Sequence, residues 1–166
     1  MLRQDALQHA IKARNASAHI RSIKLKGQDG IVPGQFRSNP RVYAILPRGT
    51  DLLLTYQHRP TPEFQLPGGG IDPGESPIAA LHREVFEETG WAIAAPRRVG
   101  AFRRFTFMPD YDIWAEKLCT VYIARPVRPH ALPSEPAHTA IWAPAELASD
   151  LLAEAGSAEL VQSLVR

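Results

Sequence analysis

A chain of 166 residues, 45% of them hydrophobic, is long enough to bury one good core and too short for two comfortable domains. Its formal charge of +2 is nearly balanced, which argues against a broad nucleic-acid or membrane-binding field and leaves room only for local basic pockets. Cys119 is the single cysteine, so an internal disulfide is excluded, and a buried small residue in a reducing, cytoplasmic setting is expected.

In chain order, Leu2, Ala6, Leu7, Ala10 and Ile11 recur at helical spacing, and His19 to Lys26 alternates like a strand. Lys26 to Pro40 is rich in Gly, Pro and polar residues and reads as a loop. No segment approaches the roughly 20 apolar residues needed to span a bilayer, so a soluble protein is expected. Residues 1–40 are read as an N-terminal accessory segment and 41–166 as the domain. Arg41 to Leu46 and Asp51 to Tyr56 are apolar runs around Pro47-Arg48-Gly49-Thr50, which predicts two strands paired across a turn. Leu66-Pro67-Gly68-Gly69-Gly70 permits close backbone approach, and Asp72-Pro73-Gly74-Glu75 turns the chain into the next element.

Ser76 followed by Pro77 is a good helix start and Gly90 a good stop. Between them Ile78, Leu81 and Val85 form an apolar stripe, with Ala79 and Phe86 offering a second patch, so the helix is expected to pack on two sides. Strands are predicted at Arg97 to Phe107, Leu118 to Arg125 and Thr139 to Trp142. Helices follow from Pro144 to Leu152 and from Ala155 to Val165. The product is an α/β fold in which helices cover both faces of a mixed central sheet.

The helix from Pro77 concentrates acids. Glu84 lies three residues from Glu87 and four from Glu88, so these carboxylates neighbour one another and repel. A cation would relieve that repulsion. Hard oxygen ligands that leave room for waters and phosphates suit Mg²⁺, with Mn²⁺ as a substitute. A backbone carbonyl from the glycine loop could join them.

The run Gly69, Glu75, Arg83-Glu84-Val85-Phe86-Glu87-Glu88-Thr89-Gly90-Trp91 resembles the Nudix box at every fixed position. The resemblance covers roughly Arg41 to Leu152, including the spacing of Trp142 to Glu146-Leu147, and implies a Nudix-type α/β/α sandwich. It also implies a magnesium-dependent hydrolase that cleaves the phosphoanhydride of a nucleoside diphosphate linked to another group. By position, Glu84, Glu87, Glu88 and a carbonyl at Gly68 or Gly69 inherit metal binding. Arg83 would orient a carboxylate, while Glu75 and Gly90 would be structural in the motif. The base that activates water would be a box glutamate such as Glu84 or an acid on a later loop, for which Glu135 is the candidate. Asp110, Asp112 and Glu116 compete with it.

Arg103, Arg104 and Phe105 lie in a segment that interleaves aromatic and basic residues and, with Arg59, could contact substrate. Strand alternation and solvated charge explain the same residues. Subgroup markers are missing: Thr106 stands where ADP-ribose pyrophosphatases of the family carry Pro. Cleavage of nucleoside triphosphates, including oxidised ones, is the alternative, followed by a non-catalytic nucleotide-binding domain. The expected partner is a small nucleotide; a homodimer is compatible, and the near-neutral charge disfavours RNA.

Overall fold

Strands β2 (Arg41–Ile45) and β4 (Asp51–Gln57) are apolar at successive positions, so each must be covered on both faces. That requirement shapes the computed structural model, in which residues 36–108 and 113–165 are described. The helix and strand expected within residues 1–26, and Asp110 and Asp112, lie outside the described residues.

Strand β2 pairs in parallel with β8 (Ile113–Pro129) on one side and antiparallel with β6 (Gly68–Gly70) on the other. The long β7 (Trp91–Met108) runs antiparallel along the far edge of β8. A short β1 (Phe36–Ser38) pairs in parallel with the start of β8. The sheet is mixed, as expected. A second, antiparallel sheet centres on β4, which pairs with β3 (Pro47–Arg48), β5 (Glu63–Gln65) and β9 (His138–Pro144).

Several elements differ from the sequence expectation. β2 and β4 are not partners of one another; each is central in its own sheet, because each buries both faces. The glycine loop contains a strand, β6, and the segment read as a loop up to Pro40 contains β1. The predicted strands within β7 and β8 are longer than expected, because the same ladder continues through Trp91–Ala94 against Arg125–Pro129 and through Ile113–Lys117 against Arg104–Met108, with Ile93 and Ala115 buried in these extensions.

Alternation along β2 and β4 sends side chains into two cores. Val42, Ala44, Leu46 and Leu53 pack with Ala80, Leu81 and Val85 of helix α1 (Pro77–Thr89). Tyr43, Ile45, Leu52 and Leu54 pack with Ala148 and Leu151 of α2 (Ala145–Leu151) and Val161 of α3 (Ala155–Val165). Helix α1 begins as predicted: the Ser76 hydroxyl accepts from the Ala79 amide at 3.2 Å, a cap worth about 1 kcal/mol. It ends at Gly90, whose φ of 72° suits glycine and whose amide reaches the Phe86 carbonyl at 2.7 Å.

The expectation that α1 packs on two apolar sides is corrected. Ile78 and Phe86 are 39% and 40% exposed, while the buried arc runs through Ala80, Leu81, Glu84, Val85 and Glu88. One face of the helix therefore carries both the core contacts and two of its acids.

Candidate active site

Arg83 organises the box. Its guanidinium grips Glu75 with two bonds, Nε to Oε1 at 3.0 Å and Nη2 to Oε2 at 2.8 Å. Nη1 donates to Glu84 Oε1 at 2.9 Å and Glu87 Oε2 at 3.1 Å, and Nη2 also donates to the Gly70 carbonyl at 3.0 Å. A planar fork is the only cationic side chain able to serve four groups in this way. These bonds hold the Glu75 carboxyl below its usual range, helped by the Asp72 amide. Glu75 thus ties turn to helix.

Glu84 and Glu88 sit deeper. Burial pushes the Glu84 carboxyl up despite Arg83, and pushes Glu88 up to about 8 although Oε2 accepts from the Gly68 amide at 3.0 Å. Desolvation wins over these bonds because Glu88 has no Arg or Lys ion-pair partner among the described residues. Gly69 lies so close to the Glu84 carboxylate that a Cβ at this position would overlap it. A side chain at this position would force that carboxylate to shift.

Glu135 is brought to the acids by the end of α1. The last carbonyls of a helix lack intrahelical donors. Here the Glu87 carbonyl accepts from the amides of Ser134 at 2.8 Å and Glu135 at 3.2 Å, and the Gly90 carbonyl accepts from the His130 amide at 2.8 Å. Ligand atoms of Glu84, Glu87 and Glu135 consequently lie within 4.8 Å of one another. Three converging hard oxygens fit a small divalent cation. Arg83, Glu84, Glu87, Glu88, Gly69 and Glu135 thus come together.

The expected substrate contacts separate. Arg103 is largely exposed and meets Glu116 at 3.4 Å, Phe105 is 41% exposed, and Arg59 is on the exposed β4–β5 connection. Arg104 alone is half-buried: it pairs with Lys117, and its ladder places it on the same sheet face as Arg41 and Cys119. Burial, with Arg41 and Arg104 nearby, lowers the Lys117 ammonium to about 8. Arg41 Nε is buried without a hydrogen-bond partner. Arg41 also pairs with Gly70, whose carbonyl Arg83 holds, so this cationic row borders the acids. Sequence reasoning missed Arg41, the first residue of β2, and Lys117 within β8, which show their shared face only once the register is known.

His138 was missed as well. Its side chain is 9% exposed, and Nδ1 and Nε2 lie 2.6 Å from Glu135 and 3.6 Å from Glu88. The shorter contact is poorly directed, so neither ring nitrogen has a hydrogen-bond partner. Its spacing three residues after Glu135 was the available signal.

The NUDIX domain model matches residues 37–164, so this chain belongs to the NUDIX family. A Bacillus subtilis protein named "Putative 8-oxo-dGTP diphosphatase" is 32% identical over 72 residues, which are 43% of this chain and 48% of that protein. An RNA pyrophosphohydrolase of Cereibacter sphaeroides is 42% identical over 62 residues, 36% of this chain and 38% of the relative. The chain thus spans about half or less of the length of the curated relatives it matches. Among solved structures, a NUDIX hydrolase from Nitrosomonas europaea has a TM-score of 0.64 at 18% identity, covering 77% of this chain and 88% of its own. A MutT protein from Bacillus halodurans also scores 0.64, at 23% identity, covering 77% and 82%. At these identities the likeness is one of fold. No helix among the described residues is long and apolar enough to cross a membrane.

Proposed function

We propose that this protein is a Mg²⁺-dependent hydrolase of a phosphoanhydride bond in a small nucleotide. The observation that carries this reading is the meeting of an acid cluster with a half-buried cationic row across Gly70. Oxygens of Glu84 and Glu87, the carbonyl of Gly69 and Glu88 behind them would hold the ion. A bound Mg²⁺ supplies charge neutralisation at the pyrophosphate and a more acidic water. Arg83 keeps Glu84 and Glu87 aimed. Glu135, free of any Arg or Lys partner among the described residues and with a side chain 43% exposed, would take the proton from the attacking water. Arg41, Arg104 and Lys117 would receive the anionic remainder of the substrate.

A nucleoside diphosphate linked to another group remains compatible with this row. Similarity to the Bacillus subtilis relative favours the second reading, cleavage of a nucleoside triphosphate, including an oxidised one. A panel of nucleotide sugars, dinucleotides and triphosphates, with product masses recorded, separates the two. Full turnover of any of them in excess chelator would overturn the metal-dependent reading. Glu135→Gln retaining the parental rate across pH would remove Glu135 as the proton acceptor.

A further inference from the structure

Lys117 is the one lysine among residues 36–165; from Arg37 to Arg128 every other lysine-or-arginine position is arginine. The exchange matters chemically, because a guanidinium does not lose its proton in a protein and an ammonium can. Register places Lys117 on the middle strand of three, opposite Arg104 of β7 and diagonal to Arg41 of β2, which pairs with Cys119 two residues further along β8. Opposite and diagonal neighbours on one sheet face are within reach of long side chains. All three cations are half-buried, and none forms an ion pair with a carboxylate among the described residues. Arg41 Nε lacks a hydrogen-bond partner as well. Like charges held together away from water, with no counterion, make a pocket for an anion.

We propose that Lys117 is the nucleophilic amine of a covalent binding site for small phosphate-bearing aldehydes, whose phosphate is held by the guanidinium groups of Arg41 and Arg104. The lysine nitrogen adds to the carbonyl carbon, the resulting carbinolamine loses water, and an imine remains; no oxidant or reductant takes part. A lysine becomes an attacking amine when it is desolvated or set beside other cations. Both conditions hold here: burial first, then Arg41 and Arg104, bring its ammonium down to about 8, and Cys119 and Glu63 oppose this without prevailing. At pH 7 about a tenth of such an amine is neutral, against less than about a thousandth of an ordinary lysine. An imine at Lys117 would fill the row assigned above to the anionic remainder of a nucleotide, so adduct and nucleotide would exclude one another. That consequence rests on the hydrolytic reading; the imine itself does not.

The test incubates the whole chain at pH 7 with pyridoxal 5′-phosphate, reduces with borohydride and maps the modified peptides by mass, with Lys12, Lys24 and Lys26 as internal references. The expected result is labelling of Lys117 about 10-fold or more ahead of those lysines, about 10-fold weaker labelling by pyridoxal, which has the aldehyde and no phosphate, and protection by inorganic phosphate. In Arg41→Gln and in Arg104→Gln the concentration for half labelling should rise about 10-fold, the loss of one charge-assisted hydrogen bond. Lys117→Arg keeps the charge and should abolish the label. Labelling of Lys117 no faster than of the reference lysines, equal labelling by pyridoxal, or no protection by inorganic phosphate overturns the proposal. These outcomes are read on the parent chain, so they decide the matter even if a variant fails to fold. Because covalent mass and not turnover is read, loss of this site leaves the hydrolase reading standing, and absence of hydrolysis leaves this one standing.

Discussion

The two cores on opposite sides of β2 and β4 are built from alternate residues of the same strands, yet they bury different things. Beneath α2 and α3 the packed side chains are almost wholly apolar. Beneath α1 the same helical arc that supplies Ala80, Leu81 and Val85 also supplies Glu84 and Glu88. The first layer is a stability device. The second trades stability for a charged, preorganised site, since burying carboxylates without full pairing is unfavourable.

Breaking the apolar layer should have the largest energetic effect. Leu54→Ala, at a fully buried position, is expected to cost about 2–5 kcal/mol of unfolding free energy while leaving activity per folded molecule nearly unchanged. Urea unfolding and active-site titration together check this. In the charged layer the pattern should invert: Glu88→Gln is expected to lower the hydrolytic rate by about 100-fold or more while the fold is retained, seen by circular dichroism beside steady-state kinetics. Arg83→Lys should come next, at about 10-fold or more in rate, because a single ammonium cannot serve Glu75, Glu84, Glu87 and the Gly70 carbonyl together. Recovery of the parental rate in Arg83→Lys would show that only charge matters there.

The smallest effect sharpens the contrast most. Glu88 titrates near 8 in the folded chain against an ordinary value of 4.5, because burial favours its neutral form. Between these values the folded chain holds a proton that the unfolded chain has released, so stability falls as pH rises through that window. Glu84, also raised by burial, acts with the same sign. The metal-free protein should therefore lose a few degrees of Tm from about pH 5 to 8, and Glu88→Gln should flatten the profile. A Tm that rises over this range would contradict the burial of Glu88. Added Mg²⁺ should offset the loss at the upper end, where the carboxylates are ready to bind it.

Most of α1 was legible from its local chemistry: Ser76, Pro77 and Gly90 act within one turn of their own positions, and the Arg83–Glu87 contact follows from helical spacing. Its buried arc was not, since Ile78 and Phe86 looked as apolar as Leu81 and only the neighbouring strands decide which side is covered. Likewise Arg103 and Arg104 are equal in the sequence, and strand register alone puts Arg104 beside Lys117.

By itself, then, the sequence determined the helix, its caps and the acids along it, because capping and side-chain spacing are short-range. Only the tertiary structure decided how deep those acids lie and what meets them. Burial that lifts Glu88, the docking of the Ser134–Glu135 amides on the open carbonyl of Glu87, and the arrival of His138 between two carboxylates all depend on strands β2, β6 and β9 being brought together around α1. Those contacts join residues far apart in the chain, and no local pattern carries them.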